Sequence, residues 1–198
     1  MNEHLDAFVQ KMDALVAGSD DPHHLAQETT GHLAALIEHP EFLEERHRQP
    51  AEDRYQQHVV HVHPEGKYSV VALVWKPGQE TSIHDHRCWC IVGVLQGRET
   101  ETRYELHEAD GSWVLAKVQE SQYEPGEVCA LVPPDENIHK VANSDQGDGL
   151  TISIHIYGAD IARLGTSINQ VFDHPVIDAP HPDSESISWR TETDLPRS

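Results

Sequence analysis

The sequence predicts a mainly β protein, a small β-barrel or jelly roll, with helices ahead of it at the N-terminus. Three observations carry that reading. Apolar residues recur at three-and-four spacing near the N-terminus, as they do along one face of a helix. From Arg54 onward the texture changes to short β-branched runs punctuated by Gly, Pro, Asp and Asn, and regularly spaced short strands of this kind close into a barrel or jelly roll. At 198 residues, with 37% hydrophobic and 24% charged content, the chain is long enough for one domain with a real core.

The elements follow in order. Residues 3–17 carry Leu5, Phe8, Val9, Met12, Leu15 and Val16 on one helical face, and Gly18 is the stop signal. A second amphipathic stretch covers about 22–38, with Leu25, Leu33, Leu36 and Ile37, and its Asp20-Asp21-Pro22 lead-in suits a helix start. Strands are expected at roughly 57–63, 68–75, 81–86, 89–96, 99–106, 113–119, 127–132, 138–142 and 150–157. The runs Ser69 to Trp75 and Ile91 to Leu95 read as buried strands, with Lys76-Pro77-Gly78 as a turn between them. The last thirty or so residues are polar and broken by Pro175, Pro180, Pro182 and Pro196, so they wrap the barrel or fray. The expected organisation is a single domain, with helices in 1–46, a metal-binding barrel in 54–157 and a C-terminal wrap or tail in 158–198.

A formal net charge of −20 argues against nucleic acid or an anionic membrane as partner, because both need clustered Lys and Arg. Solubility, as in a saline cytoplasm, is the simpler reason for such acidity. No run of eighteen apolar residues occurs, and the first residues lack a basic or apolar leader, so a cytoplasmic location is expected. Three cysteines, two of them at Cys88 and Cys90, make no disulfide framework and fit a reducing compartment.

The most informative feature is the spacing His84-Asp85-His86, followed much later by His139. On a strand, residues i and i+2 share a face, so His84 and His86 can offer imidazole nitrogens to one ion while Asp85 points away. With 16 histidines in the chain, most are expected to be solvated surface residues. Imidazoles aimed into a barrel lack water and need a partner, which a metal ion supplies.

Two strings extend this pattern: Gly78, His84, His86, Cys90 and Gly97, then Pro134, His139 and Asn143. They resemble the two motifs of the cupins, whose fold is a double-stranded β-helix holding a metal. Two departures stand out, Cys90 where cupins usually carry a glutamate ligand and Glu136 where they carry glycine. Within the cupins, residues from about Arg54 to Arg163 resemble the thiol dioxygenases, iron enzymes that oxidise small thiols to sulfinates. The marks are Tyr55-Gln56-Gln57, Pro77-Gly78, Trp89, the Val92-Gly93-Val94-Leu95 run, His139 to Asn143, and Ser153-Ile154-His155-Ile156-Tyr157-Gly158. Ser153, His155 and Tyr157 alternate along one strand, and the resemblance implies a hydrogen-bonded relay ending in the tyrosine hydroxyl beside the metal.

The resemblance implies one ferrous ion per chain on His84, His86 and His139, with no other cofactor. It also implies a small thiol and O2 as substrates, and Tyr55, Gln57, Trp89, Cys90 and Arg163 as substrate contacts. Three neutral imidazoles leave the ion its full double charge, which favours an anionic thiolate as the next ligand. Gln57 falls where mammalian-type cysteine dioxygenases carry an arginine, which looks like the 3-mercaptopropionate subgroup. Cys90 leans toward cysteine as substrate, since there such a cysteine can form a thioether with the relay tyrosine. Arg163 or Arg87 is the candidate clamp for a substrate carboxylate. The rival readings are a non-catalytic metal-binding cupin, with Cys88 and Cys90 as extra soft ligands, and a different cupin enzyme such as an isomerase. The assembly is expected to be a monomer or homodimer.

Overall fold

A computed structural model describes residues 2–109, 111–134, 137–143 and 149–178. Two helices open it. α1 spans Glu3–Gly18, and the Asn2 side chain accepts from the His4 N–H at 2.9 Å, satisfying a donor that the helix itself cannot. α2 spans Pro22–Ile37 with Asp21 as cap and Pro22 in the first turn, where its missing N–H costs nothing. Both helices bury one stripe, Leu5, Phe8, Met12 and Val16 on α1 and Leu25, Leu33, Leu36 and Ile37 on α2. Two short 3-10 turns, Pro40–Phe42 and Glu45–Arg48, then lead to the strands and bury Phe42 beneath them.

Eleven strands follow among the described residues: β1 Gln56–Val62, β2 Ser69–Trp75, β3 His84–His86, β4 Cys90–Gln96, β5 Glu99–Ala109, β6 Ser112–Tyr123, β7 Val128–Leu131, β8 His139–Asn143, β9 Thr151–Tyr157, β10 Ile168–Val171 and β11 Val176–Asp178. They form a five-stranded sheet ordered β1-β2-β9-β4-β7 and a six-stranded sheet ordered β10-β3-β8-β5-β6-β11. Side chains of both sheets meet between them, as when Val71, Cys90 and Tyr157 pack with Val141. The architecture is a double-stranded β-helix behind two N-terminal helices.

The five-stranded sheet is covered on both faces, which explains why β2 and β9 are buried at every position. Val70, Ala72, Val74, Ile152, Ile154 and Ile156 face the helices, while Val71, Leu73, Trp75 and Tyr157 face the barrel interior. Burying each such aliphatic side chain contributes roughly 1.5–3 kcal/mol before entropy is charged against it. Gly93 lets α2 come close, for a Cβ there would lie 3.1 Å from Leu33 and Ile37 side-chain carbons.

The stretch expected to wrap the barrel or form a tail carries regular elements as far as residue 178. Residues 161–164 form a short helix, α3, and beyond it β10 pairs antiparallel with β3 while β11 pairs parallel with β6. These strands are largely exposed and carry no alternating pattern, because each only seals an edge. Residues 179–198, and Glu136 of the second motif, lie outside the described residues.

Candidate metal centre

His84 and His86 sit on the three-residue strand β3, and His139 opens β8, where it is the register partner of His84. The three rings are buried and form a nearly equilateral triangle, with centroids 4.9, 4.8 and 5.0 Å apart. Asp85 points to the other face and accepts from the Asn169 side chain at 3.0 Å and the Gln170 N–H at 2.6 Å, which straps β10 onto β3. Asn137 stands in for a missing strand partner of His86. Its Oδ1 accepts from the His86 N–H and its Nδ2 donates to the His86 carbonyl, both at 3.2 Å.

The hydrogen bonds around the rings set which nitrogen is free. His84 Nδ1 donates to the Ser82 carbonyl at 2.9 Å, and His139 Nδ1 donates to Glu101 Oε1 at 2.8 Å, so each Nε2 presents a lone pair inward. His86 Nε2 lies 2.9 Å from His139 Nε2, and its buried Nδ1 has no partner in the protein. Burial, reinforced by His139, pushes the His84 pKa down to about 4, and burial pushes that of His86 well below its ordinary value. His84 and His86 are therefore neutral ligands at neutral pH. Burial alone would raise the Glu101 pKa, but the hydrogen bond and charge of His139, with Arg103, bring it below the usual range. Three converging lone pairs, two of them fixed by an outer acceptor, make a cluster able to hold a divalent metal ion. Among the described residues the cluster includes no thiol or carboxylate, and Cys88 and Cys90 lie outside it. A second grouping, His4, His39 and Glu41, has its two rings stacked at 3.8 Å and 12°, so their in-plane lone pairs run side by side instead of converging.

Beside the triangle stands a polar series on β9. Ser153 Oγ lies 2.9 Å from His155 Nε2, and His155 Nδ1 lies 3.3 Å from Tyr157 Oη. The Tyr157 ring is 6.1 Å from that of His86 and lies parallel to it within 23°. Trp75, fully buried, donates its indole N–H to Ser153 Oγ at 3.2 Å, and Tyr55 stacks on Trp75 at 4.3 Å. Cys90 is the cross-strand partner of Tyr157 on β4, and its Sγ lies 3.9 Å from His155 Nδ1. Burial holds the Tyr157 hydroxyl and the Cys90 thiol well above their ordinary pKa values, so both keep their protons.

Tyr157 forms one wall of a cavity of about 320 Å³ lined also by Arg54, Tyr55, Gln57, Ser167 and Ile168. Three sequence-predicted contacts do not line it; Cys90 is buried opposite Tyr157, and the other two lie elsewhere. Trp89 shares the face of Ile91 and is packed in the helix-side core, since adjacent strand residues cannot both point inward once Cys90 does. It abuts Gly158, where a Cβ would come within 2.3 Å of its indole nitrogen. Arg163 is exposed on α3, whose N-terminus is capped by Asp160. Arg87 is also exposed and donates from Nε to the Ile168 carbonyl at 2.9 Å. The cation of the cavity is Arg54, which sequence reasoning missed although it precedes Tyr55 directly. Asn137 and Glu101 were missed as well. Asn137 stands two residues before His139, the one signal available for it.

A double-stranded β-helix with a buried triangle of histidines able to hold a metal ion and an adjoining Ser-His-Tyr series defines a cupin. The cysteine dioxygenase type I family model matches residues 43–165, and the chain belongs to that family. Cysteine dioxygenase type 1 of Rattus norvegicus is 28% identical over 93 residues, 46% of this chain and 45% of the relative. That of Danio rerio is 28% identical over 119 residues, 57% of this chain and 55% of the relative. The chain thus spans about half the length of the curated relatives it matches. Among solved structures, a conserved protein with a double-stranded β-helix domain from Klebsiella pneumoniae is 17% identical with a TM-score of 0.45, covering 59% of this chain and 86% of its own. A cupin superfamily protein from Desulfitobacterium hafniense is 16% identical with a TM-score of 0.42, covering 65% and 88%. No helix among the described residues is long and apolar enough to cross a membrane.

Proposed function

We propose that the protein is a thiol dioxygenase with one ferrous ion per chain on His84, His86 and His139, adding both atoms of O2 to the sulfur of 3-mercaptopropionate to give the sulfinic acid. The observation that carries the substrate class is the make-up of the cavity beside Tyr157. It holds one full charge, the guanidinium of Arg54, and neutral polar groups on Tyr55, Gln57, Thr166 and Ser167. A carboxylate finds a cation there, whereas the ammonium of cysteine finds no carboxylate among the described lining residues. When bound, ferrous iron acidifies the thiol and brings the thiolate and O2 together.

The chain's own residues do the rest. Arg54 and Gln57 hold the carboxylate end, and Tyr157, steadied by His155, offers its hydroxyl between the cavity and the histidine triangle. Val71, Leu73 and Val92 keep the interior apolar, so these few hydrogen bonds act without competing water. O2 is the only oxidant required, since both of its atoms end on sulfur and the thiol proton remains on the sulfinic acid or passes to solvent.

A second reading, cysteine as substrate, is favoured by Cys90 being the cross-strand partner of Tyr157, a pairing that would suit a thioether between them. The deciding experiment is oxygen uptake by iron-loaded protein with both thiols, with the sulfinate identified by mass spectrometry. We expect kcat/KM for 3-mercaptopropionate to exceed that for L-cysteine. A cysteine value about tenfold higher, a 1.4 kcal/mol preference, overturns the substrate, and no uptake with either thiol overturns the reaction.

A further inference from the structure

The polar series on β9 continues past Ser153. Glu99, on β5 of the opposite sheet, is 2% exposed, and its Oε1 lies 3.1 Å from Ser153 Oγ. Four groups therefore form one line, Glu99, Ser153, His155 and Tyr157, with the Trp75 N–H touching it from the side.

The proton inventory of this line is short. Indole is a donor only, so Trp75 always occupies one lone pair of Ser153. The serine hydroxyl has one proton, which can go to Glu99 or to His155. His155 is fully buried, and burial together with the neighbouring His139 and His84 lowers its pKa to about 3, so the ring stays neutral and carries one N–H. If Glu99 is a carboxylate, Ser153 donates to it, His155 must donate from Nε2 to Ser153, and the bare Nδ1 then accepts the Tyr157 hydroxyl. If Glu99 is a carboxylic acid with its proton on Oε1, every bond reverses. Glu99 donates to Ser153, Ser153 donates to a bare Nε2, and Nδ1–H donates to the Tyr157 oxygen. In both states the serine is fully satisfied, so neither leaves a buried orphan there. They differ at the far end, where only the second frees the Tyr157 proton to turn toward Ser167 and the cavity.

We propose that Glu99 is the positioning residue that sets the direction of this relay, its proton deciding whether the Tyr157 hydroxyl donates into the substrate cavity or back to His155. The proposal deepens the dioxygenase reading and rests on it for the role of Tyr157, though the relay itself needs neither metal nor thiol. The groups facing Glu99 are Glu101 on its own strand, Tyr123 on β6, Asn143 on β8, Cys90 on β4, Cys129 on β7 and Ser153 on β9. None brings a cation against the carboxyl. Burial raises its pKa to about 8 and the nearby Glu101 adds to that, against the hydrogen bond of Ser153. Glu99 is therefore protonated at neutral pH, the state in which Tyr157 donates outward.

The test uses the full chain without metal. ¹⁵N NMR of the histidine rings reports the tautomer of His155, its signals assigned by their absence from His155→Asn. In the wild type the ring should pass from Nδ1–H to Nε2–H as pH rises through about 8, while the infrared band of a protonated carboxyl disappears over the same range. Glu99→Gln, which has no proton to lose, should hold His155 in one tautomer across the range and lack that band. In the iron-loaded enzyme Glu99→Gln should lose the alkaline limb near pH 8. A wild-type tautomer that does not change, or an identical change in Glu99→Gln, overturns the proposal. The wild-type titration needs no variant to fold. If the tautomer switches but no thiol is oxidised, the relay stands and the dioxygenase reading falls; activity without the switch is the reverse.

Discussion

Removing the Asn137 side chain tests how the centre is held together. In Asn137→Ala the His86 N–H and C=O both lose their partner, in a place where the side chain is 6% exposed and water has little access. Each buried backbone group left unpaired costs about 1–3 kcal/mol, so the pair costs about 2–6 kcal/mol, with the lower half expected because the truncation admits some water. The cost falls on the strand that carries two of the three ligands. Loss of comparable outer support at metal sites typically weakens the metal by 10–100-fold, about 1.4–2.7 kcal/mol. Urea unfolding of the metal-free chain and competition for iron against a chromogenic chelator measure the two effects separately. Asn137→Asp is the control, since it keeps the acceptor for the His86 N–H but sets an oxygen against the His86 carbonyl, and should recover only part of the loss. A stability change within about 0.5 kcal/mol, the range of an ordinary surface substitution, with unaltered iron affinity would refute the idea that Asn137 replaces a strand partner.

The remaining predictions can be checked on the same material. His139→Ala should abolish both iron binding and turnover by metal analysis and oxygen electrode, since two imidazoles on β3 cannot close the site alone. Tyr157→Phe should retain iron while lowering turnover by about 10²–10⁴-fold, the usual cost of a lost positioned proton donor. Arg54→Gln should raise KM for 3-mercaptopropionate with little change in kcat, by about 1–2 kcal/mol or roughly 5- to 30-fold given the exposure of the guanidinium. Glu99 also ties stability to pH: its pKa is raised from 4.5 to about 8, so its contribution is fully present below 4.5 and is lost as pH rises through about 8. Urea midpoints across that window should fall less steeply with pH in Glu99→Gln than in the wild type.

The parts legible in the sequence are those with a strong period. The stripe from Leu5 to Val16 and the run from Ser69 to Trp75 show themselves because packing demands apolar residues at fixed intervals, and both helices and nine strands followed from such signals. His84 and His86 were legible because strand alternation puts them on one face. Alternation also says that Trp89 and Cys90 cannot both face the barrel interior, but the frame, which of the two points inward, is set by the partner strand and not by the local string. Glu99 and Glu101 were hidden for a different reason. Among 34 acidic residues, two glutamates alternating with threonines read as a solvated strand, and only the closure of the opposite sheet over them makes them interior. Strands β10 and β11 carry no buried stripe of their own, so the signal for them lay in the unpaired edges of β3 and β6.

The strap between Asp85 and β10 bears on how short a version of this protein can be made. The family match ends at residue 165, yet Ile168 and Val171 pair with the two histidines of β3, and the Arg87 and Phe172 backbone N–H groups donate to Ser167 and Ile83 on either side. A fragment cut at the boundary of the match would keep all three imidazoles and still leave β3 tied to its neighbours only through the bridge to His139 and the Asn137 side chain. Two ligands would then ride on a loose edge, open to pairing with another chain. Residues 166–172 are in this sense part of the metal centre although none of them belongs to the histidine cluster, and the smallest fragment that keeps its affinity must extend beyond the stretch by which the family is known.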